Sequence, residues 1–229
     1  MNGESTGTLM PIVALLIIVF GVILYLFIFK RGRNKGQEML QSLGFTAIAP
    51  DKTLERRLAH LYRNPNVILR EVFQRRLPDA SMYIFALDDP DGVVTPRGIA
   101  ILSSSLSLPQ FRIFPKIDSK QFGLGGLGNK VIERAVATAG EKVEFPAFPE
   151  FAEKYFLVSE DADTLHQFFN DQMADYFSRS QLFSVLAEGD MFVFEDYGMF
   201  FVKNDLSKIS QSVRRAMEIY EVLQTKRVV

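Results

Sequence analysis

The residues that could do chemistry are few and scattered. The run Gly123–Gly128, GLGGLG, fits the G-x-G-x-x-G spacing of a phosphate-binding loop and precedes a helix-like stretch, Asn129 to Ala139. A dinucleotide site needs a buried strand running into the first glycine, so that the helix N-terminus meets the pyrophosphate. Here the preceding residues are the polar IDSKQF, and no Lys-Ser/Thr follows the last glycine as in a Walker loop. The run is therefore read as a loop, with no cofactor assigned. Ser103, Ser104 and Ser105 offer hydroxyls, and Glu150, Glu153, Asp161 and Asp163 offer carboxylates. Nucleophilic catalysis needs a base within hydrogen-bond reach, and the chain has only two histidines, His60 and His166, each in an amphipathic helical stretch. No G-x-S-x-G turn is present. The acidic turn Asp88–Gly92, DDPDG, lacks the alternating oxygen ligands and distal Glu of an EF-hand. Cysteine is absent, which excludes disulfides and thiolate metal sites. These residues predict no catalytic, cofactor or metal site. A membrane-anchored hydrolase using two of the carboxylates is the weakest of the functions weighed.

The elements that would position these groups are legible from periodicity. Asp51 offers an N-cap for a helix with Leu54, Leu58 and Leu61 on one face. Strands are expected within Asn66–Leu77, Ser81–Leu87, Gly98–Ser103 and Tyr155–Val158. Leu106–Ile117 reads as extended, and Pro109 and Pro115 place it at an edge or in a crossing segment. Gly140 suits a helix stop, and Asp161 caps one helix carrying Leu165, Phe168, Phe169, Met173, Tyr176 and Phe177. A meander of Leu182–Ala187, Met191–Glu195 and Met199–Val202 follows. A last helix begins near Asp205, with Leu206, Ile209, Val213, Met217, Tyr220 and Leu223 in one stripe. The fold class is α+β, a mostly antiparallel sheet with flanking helices over residues 51–229, with a subdomain break allowed near 116–141.

Ahead of this domain lies Leu9–Phe29, 21 residues without a charge. As a helix it measures about 31 Å, against a hydrocarbon core of about 30 Å. The eight residues before it carry only Glu4, whereas Lys30, Arg31, Arg33 and Lys35 follow directly. Basic residues beside a span stay on the cytoplasmic side, so residues 1–8 are expected outside and residues from about 36 onward inside. A signal peptide has the opposite charge order and a shorter apolar run. The expectation is a single-pass anchor in the cell inner (plasma) membrane, its basic cluster at the lipid surface, with residues 30–50 as a connector. Met39, Leu40 and Leu43 suggest a short apolar-faced turn before Gly44. Residues 36–229 hold 22 of the 26 Lys and Arg and 26 of the 27 Asp and Glu, a net of −4 that argues against nucleic acid.

Several strings together resemble a loosely defined family of uncharacterised bacterial single-pass membrane proteins. They are the span with its basic exit, LGF (Leu43–Phe45), DKTLERRLAHL, LPQFRIFP, FPEFAEKYFLVSEDADTLHQFF, and the hairpin LAEGDMFVFE before a C-terminal helix. The resemblance implies architecture and carries over no catalytic residue. The function expected is a membrane-tethered, non-catalytic interaction or assembly module with a membrane-protein partner. The alternative is an inner-leaflet domain that senses lipid or a small ligand, using Arg56–Arg57, Arg75–Arg76 and Arg214–Arg215 if they share a face.

Overall fold

The computed structural model describes residues 36–88, 97–116, 140–196 and 205–224. Among these, nine strands form one antiparallel sheet. They are β1 (Thr46–Ile48), β2 (Ile68–Arg76), β3 (Ser81–Asp88), β4 (Arg97–Leu102), β5 (Leu108–Pro115), β6 (Glu141–Lys142), β7 (Tyr155–Ser159), β8 (Phe183–Gly189) and β9 (Met191–Asp196). Their order across the sheet is β1-β2-β3-β4-β9-β8-β5-β7-β6. The helices are α1 (Lys52–Tyr62), α2 (Pro149–Lys154), α3 (Ala162–Phe168), α4 (Asp171–Arg179) and α5 (Leu206–Gln224). The protein is thus α+β, a large antiparallel sheet with flanking helices. The break allowed near 116–141 does not divide this sheet, because β5 and β7 on either side of it are hydrogen-bonded neighbours.

Alternate side chains of a strand point to opposite faces, and the central strands are apolar on both. Met82, Ile84, Ile99, Ile101, Phe192 and Phe194 join one core cluster, while Phe85, Leu87, Ala100 and Val193 between them join another. The first cluster is closed by α2 to α5, through residues such as Phe151, Phe169, Phe177, Val213, Ala216 and Ile219. Much of the Phe content is spent here, in a chain of ring contacts from Phe145 through Phe169, Phe177 and Phe183 to Phe194. The second cluster is closed by α1 alone, through Leu54, Leu58 and Leu61. Each of these leucines contributes about 1.5 to 3 kcal/mol on burial.

Local chemistry sets the ends of the helices. Asp51 accepts the Thr53 N–H at 3.0 Å and caps α1, which stops at Arg63 in the left-handed region (φ 52). The single helix expected after Asp161 is two helices. Asn170 accepts the Met173 N–H at 2.9 Å and acts as a second N-cap, restarting the chain as α4 after α3. The expected stripe of α5 faces the core through Val213, Tyr220 and Leu223, with Ile209 and Met217 packed against it. It is wider than expected, since Ser212, Ala216 and Ile219 are also buried, and Leu206 is exposed. The proposed strand Met199–Val202 lies outside the described residues.

The placement of one strand is overturned as well. Leu108–Pro115 is neither an edge nor a crossing segment but sits between β8 and β7. Its prolines are tolerated because Pro109 falls within an irregularity of the β5–β8 register, between Leu108 and Phe111, and Pro115 is the last residue of the strand.

The entry to the domain is built as firmly as its core. Residues 36–42 are helical. The Gly44 N–H bonds the Gln41 carbonyl at 2.9 Å, and the Phe45 N–H bonds the Leu40 carbonyl at 3.0 Å. With Gly44 left-handed (φ 82), this is a Schellman ending. Its usual apolar pair is Leu40 and Phe45, both buried in the larger core. Two glycines here give a contrast. At Gly44 an added Cβ meets only Arg75 at ordinary distance, so Gly44→Ala costs about 1 to 2 kcal/mol of backbone strain. At Gly140 (φ 128) an added Cβ would sit 2.7 Å from the Ser159 carbonyl oxygen, so Gly140→Ala is the more destabilising change. Thermal unfolding of the two variants in detergent, followed by circular dichroism, checks that order; equal midpoints would contradict it.

Candidate functional site

The strand register places one end of the sheet around the point where the chain enters. β1 starts beside the last residues of β2 (Thr46↔Gln74), and Arg76↔Ser81, Ser81↔Leu102 and Leu102↔Met191 continue along the same end. The β2–β3, β4–β5 and β8–β9 turns therefore lie together at this entry end. The C-terminal half of α5 reaches it as well, and a polar network ties it there. Tyr220 Oη lies 2.7 Å from Asp79 Oδ2, 2.8 Å from Ser103 Oγ and 3.0 Å from Ser105 Oγ. Gln224 Nε2 donates to Asp79 Oδ2 at 3.0 Å and to Ser105 Oγ at 2.5 Å. Ser103 Oγ donates to the Asp79 carbonyl at 2.6 Å.

This network brings together two of the serines considered above, and its chemistry is that of a latch. The Ser103 proton is committed to a backbone carbonyl. The Tyr220 hydrogen bond, followed by that of Gln224, holds the Asp79 carboxyl below its usual range, which makes it a poor base. Burial foremost raises Tyr220, so its hydroxyl keeps its proton. No member is activated as a nucleophile.

On the α1 side of the sheet runs a second polar band. Arg57 pairs with Asp190, and Arg63 with Glu160. His60 Nε2 lies 3.0 Å from a Glu188 oxygen. Tyr62 Oη donates to buried Glu195 at 2.6 Å. Amid these charges Arg112, on β5, is only 4 % exposed, and its Nη2 has no hydrogen-bond partner among the described residues. Burial first, then repulsion from Arg63, pushes its pKa down to about 10, while Glu160, Glu188 and Glu195 pull it back up. It stays charged at neutral pH. Four carboxylates here face three arginines and a histidine. The band has no positive excess to recruit an anion, so it reads as a charge-balanced fastening of α1 to the sheet.

The remaining residues considered for chemistry are dispersed over the surface. Glu150, Glu153, Asp161 and Asp163 are exposed. Asp161 is spent as the cap of α3, accepting from Thr164 N at 2.9 Å, and its bonds to Thr164 lower its pKa. His166 is exposed and packs its ring 4.5 Å from that of Phe145. Among the described residues no three His, Asp or Glu side chains come together to hold a metal. Gly123–Gly128, most of the acidic turn (residues 89–92), and Lys30, Arg31, Arg33 and Lys35 lie outside the described residues.

The arginine pairs do not share one face. Arg56–Arg57 ride on α1 and Arg214–Arg215 on α5, which cover opposite faces of the sheet. Arg57 and Arg215 are also engaged, by Asp190 and Asp196. Arg75–Arg76, at the entry end of β2, have no ion-pair partner among the described residues. Sequence reasoning missed Arg112 and the Asp79–Tyr220 pair. The first carried a signal, a lone charge within the apolar FRIFP run; the second is a long-range contact with none.

No family model, curated protein or solved structure matches the chain.

The latch makes a prediction about acid stability. Because the Asp79 pKa is lowered in the folded state, its contribution is present above the ordinary aspartate value of about 3.9. That contribution is lost as pH falls through the lower folded value. Tyr220→Phe removes the main cause of the shift and leaves one donor fewer in the network, at about 1 to 3 kcal/mol. The variant should unfold at a lower temperature at neutral pH, and the gap to the unaltered protein should narrow at strongly acid pH. A gap independent of pH, in paired melting curves, would contradict this.

Proposed function

We propose that the protein is a membrane-tethered, non-catalytic interaction or assembly module held on the cytoplasmic side of the cell inner membrane. The observation that carries this reading is the charge-free stretch Leu9–Phe29 followed at once by Lys30, Arg31, Arg33 and Lys35. Among the described residues no helix is long and apolar enough to cross a membrane, and residues 9–29 lie outside them. The resemblance to uncharacterised single-pass membrane proteins belongs to the same proposal. A tether confines the domain near its partners and raises their effective concentration without high intrinsic affinity. The partner is taken to be another membrane protein.

The second reading is a domain that senses inner-leaflet lipid or a small ligand. It is favoured by one observation, that Arg75–Arg76 have no ion-pair partner among the described residues at the end where the chain enters. A hydrolase reading finds no comparable support, since its four carboxylates are solvent-exposed.

Two measurements test the proposal. Alkaline extraction of membranes should leave the full chain in the pellet and release a variant lacking residues 9–29. Gentle detergent extraction with crosslinking should recover it in a species larger than its 26.0 kDa monomer. Release of the full chain by alkali overturns the anchor, and recovery solely as a monomer overturns the partner.

A further inference from the structure

We infer that the entry end of the sheet, led by Arg75 and Arg76, docks flat on the anionic headgroups of the inner leaflet and so fixes the domain's orientation on the membrane. This rests on the anchoring reading above and adds the surface, its residues and its ligand.

Chain length comes first. Residues 30–35 are all that separate the apolar stretch from residue 36, at most about 21 Å fully extended. From residue 36 the chain is committed to the domain, because Leu40 and Phe45 are buried and the Schellman hydrogen bonds fix the path between them. Residue 36 therefore lies within that reach of the membrane surface, and the helix over residues 36–42, about 10 Å long, leads from there to the entry end.

Charge comes second. The acidic side chains at this end are Glu38, Asp79, Glu160, Glu188, Asp190 and Glu221. Asp79 is held by Tyr220 and Gln224, Glu160 by Arg63, Glu188 by His60, and Asp190 by Arg57, and Glu221 is engaged as well. Of the arginines in the described residues, Arg57, Arg63, Arg70, Arg179 and Arg215 have ion-pair partners. Arg56, Arg75, Arg76, Arg97, Arg112 and Arg214 do not. Of these Arg75 and Arg76 close β2 at the entry end, and Arg75 stands beside Gly44, whose added Cβ would lie 3.7 Å from Arg75 Cδ. Two uncompensated guanidiniums next to the chain entry match a lipid phosphate surface, which guanidinium binds through paired N–H donors.

Rigidity comes third. The Asp79–Tyr220–Ser103–Ser105–Gln224 network ties two turns of this end to α5, so the surface meets the bilayer as one body. α5 then serves as a ruler. Lys208 in its first turn lies about 18 Å along the helix from Tyr220, toward the opposite end.

The test uses the full chain, reconstituted into vesicles of phosphatidylcholine alone or with a minority of phosphatidylserine. Since the chain has no cysteine, Ser104→Cys and Lys208→Cys each give one fluorophore site. Quenching by headgroup-labelled lipid should be strong at position 104, weak at 208, and dependent on phosphatidylserine. Arg75→Gln with Arg76→Gln should lower the docked-to-undocked ratio roughly fivefold per arginine removed, while Arg75→Lys with Arg76→Lys should retain most of it. Equal quenching at the two positions, or quenching at 104 indifferent to both phosphatidylserine and the Gln pair, would overturn the inference while leaving the anchor intact. A full chain that fails to float with either vesicle would overturn the anchoring reading, and this inference with it. An unchanged melting temperature in the Gln pair separates lost docking from lost folding.

Discussion

The structure depends on a sheet that has to be dry on both faces. An antiparallel sheet can leave one face to water, with polar side chains at every second position. Here β3, β4 and β9 alternate between two apolar sets instead, so both faces need a cover. α1 covers one and α2 to α5 the other. This divides the labour of the helices unequally. The face under α2 to α5 carries the linked aromatic rings, and α1 alone serves the other, fastened by charge pairs at its C-terminal end. Arg112 and Glu195 are the cost of that second arrangement, since each is a charged group taken out of water. The three carboxylates around Arg112 and the Tyr62 hydroxyl on Glu195 offset it.

The same packing reaches back to the start of the domain. A connector after a membrane anchor can be a loose tether, and Gly32 and Gly36 suggest one. From residue 36 the chain does the opposite. Gly44 turns it back, and Leu40 and Phe45 plug it into the larger core. On the proposed anchor, a domain built this way would have a preferred end toward the bilayer. It would present its partners with a fixed surface rather than a freely rotating one, which narrows what tethering achieves to partners of matching height and orientation.

Much of this was legible in the chain, and the misses have physical causes. Asp51, Gly44 and the central strands were readable because cap chemistry, left-handed glycine and two-faced apolar runs are local signals. The break between α3 and α4 was lost because the apolar spacing continues across Asn170, and only its capping geometry shows the restart. β5 carries a misleading local signal, because two prolines point to an edge and nothing nearby in the chain shows that a register irregularity accommodates Pro109. The entry-end network was invisible for a different reason. It joins Asp79 to Tyr220 and Gln224, residues more than a hundred positions apart, through side chains that are unremarkable in their own neighbourhoods. Arg75–Arg76 looked equivalent to the other two arginine pairs, and what sets them apart is their place at the entry end of β2 and the engagement of Arg57 and Arg215 by carboxylates.

The central claim is that an anchored chain holds this domain on the cytoplasmic side. Its most direct test is labelling with a membrane-impermeant maleimide in right-side-out vesicles, again exploiting the absence of cysteine. Gly3→Cys should react in intact vesicles, and Ser104→Cys should react after permeabilisation alone. Reaction of Ser104→Cys in intact vesicles, with Gly3→Cys protected, would contradict the account.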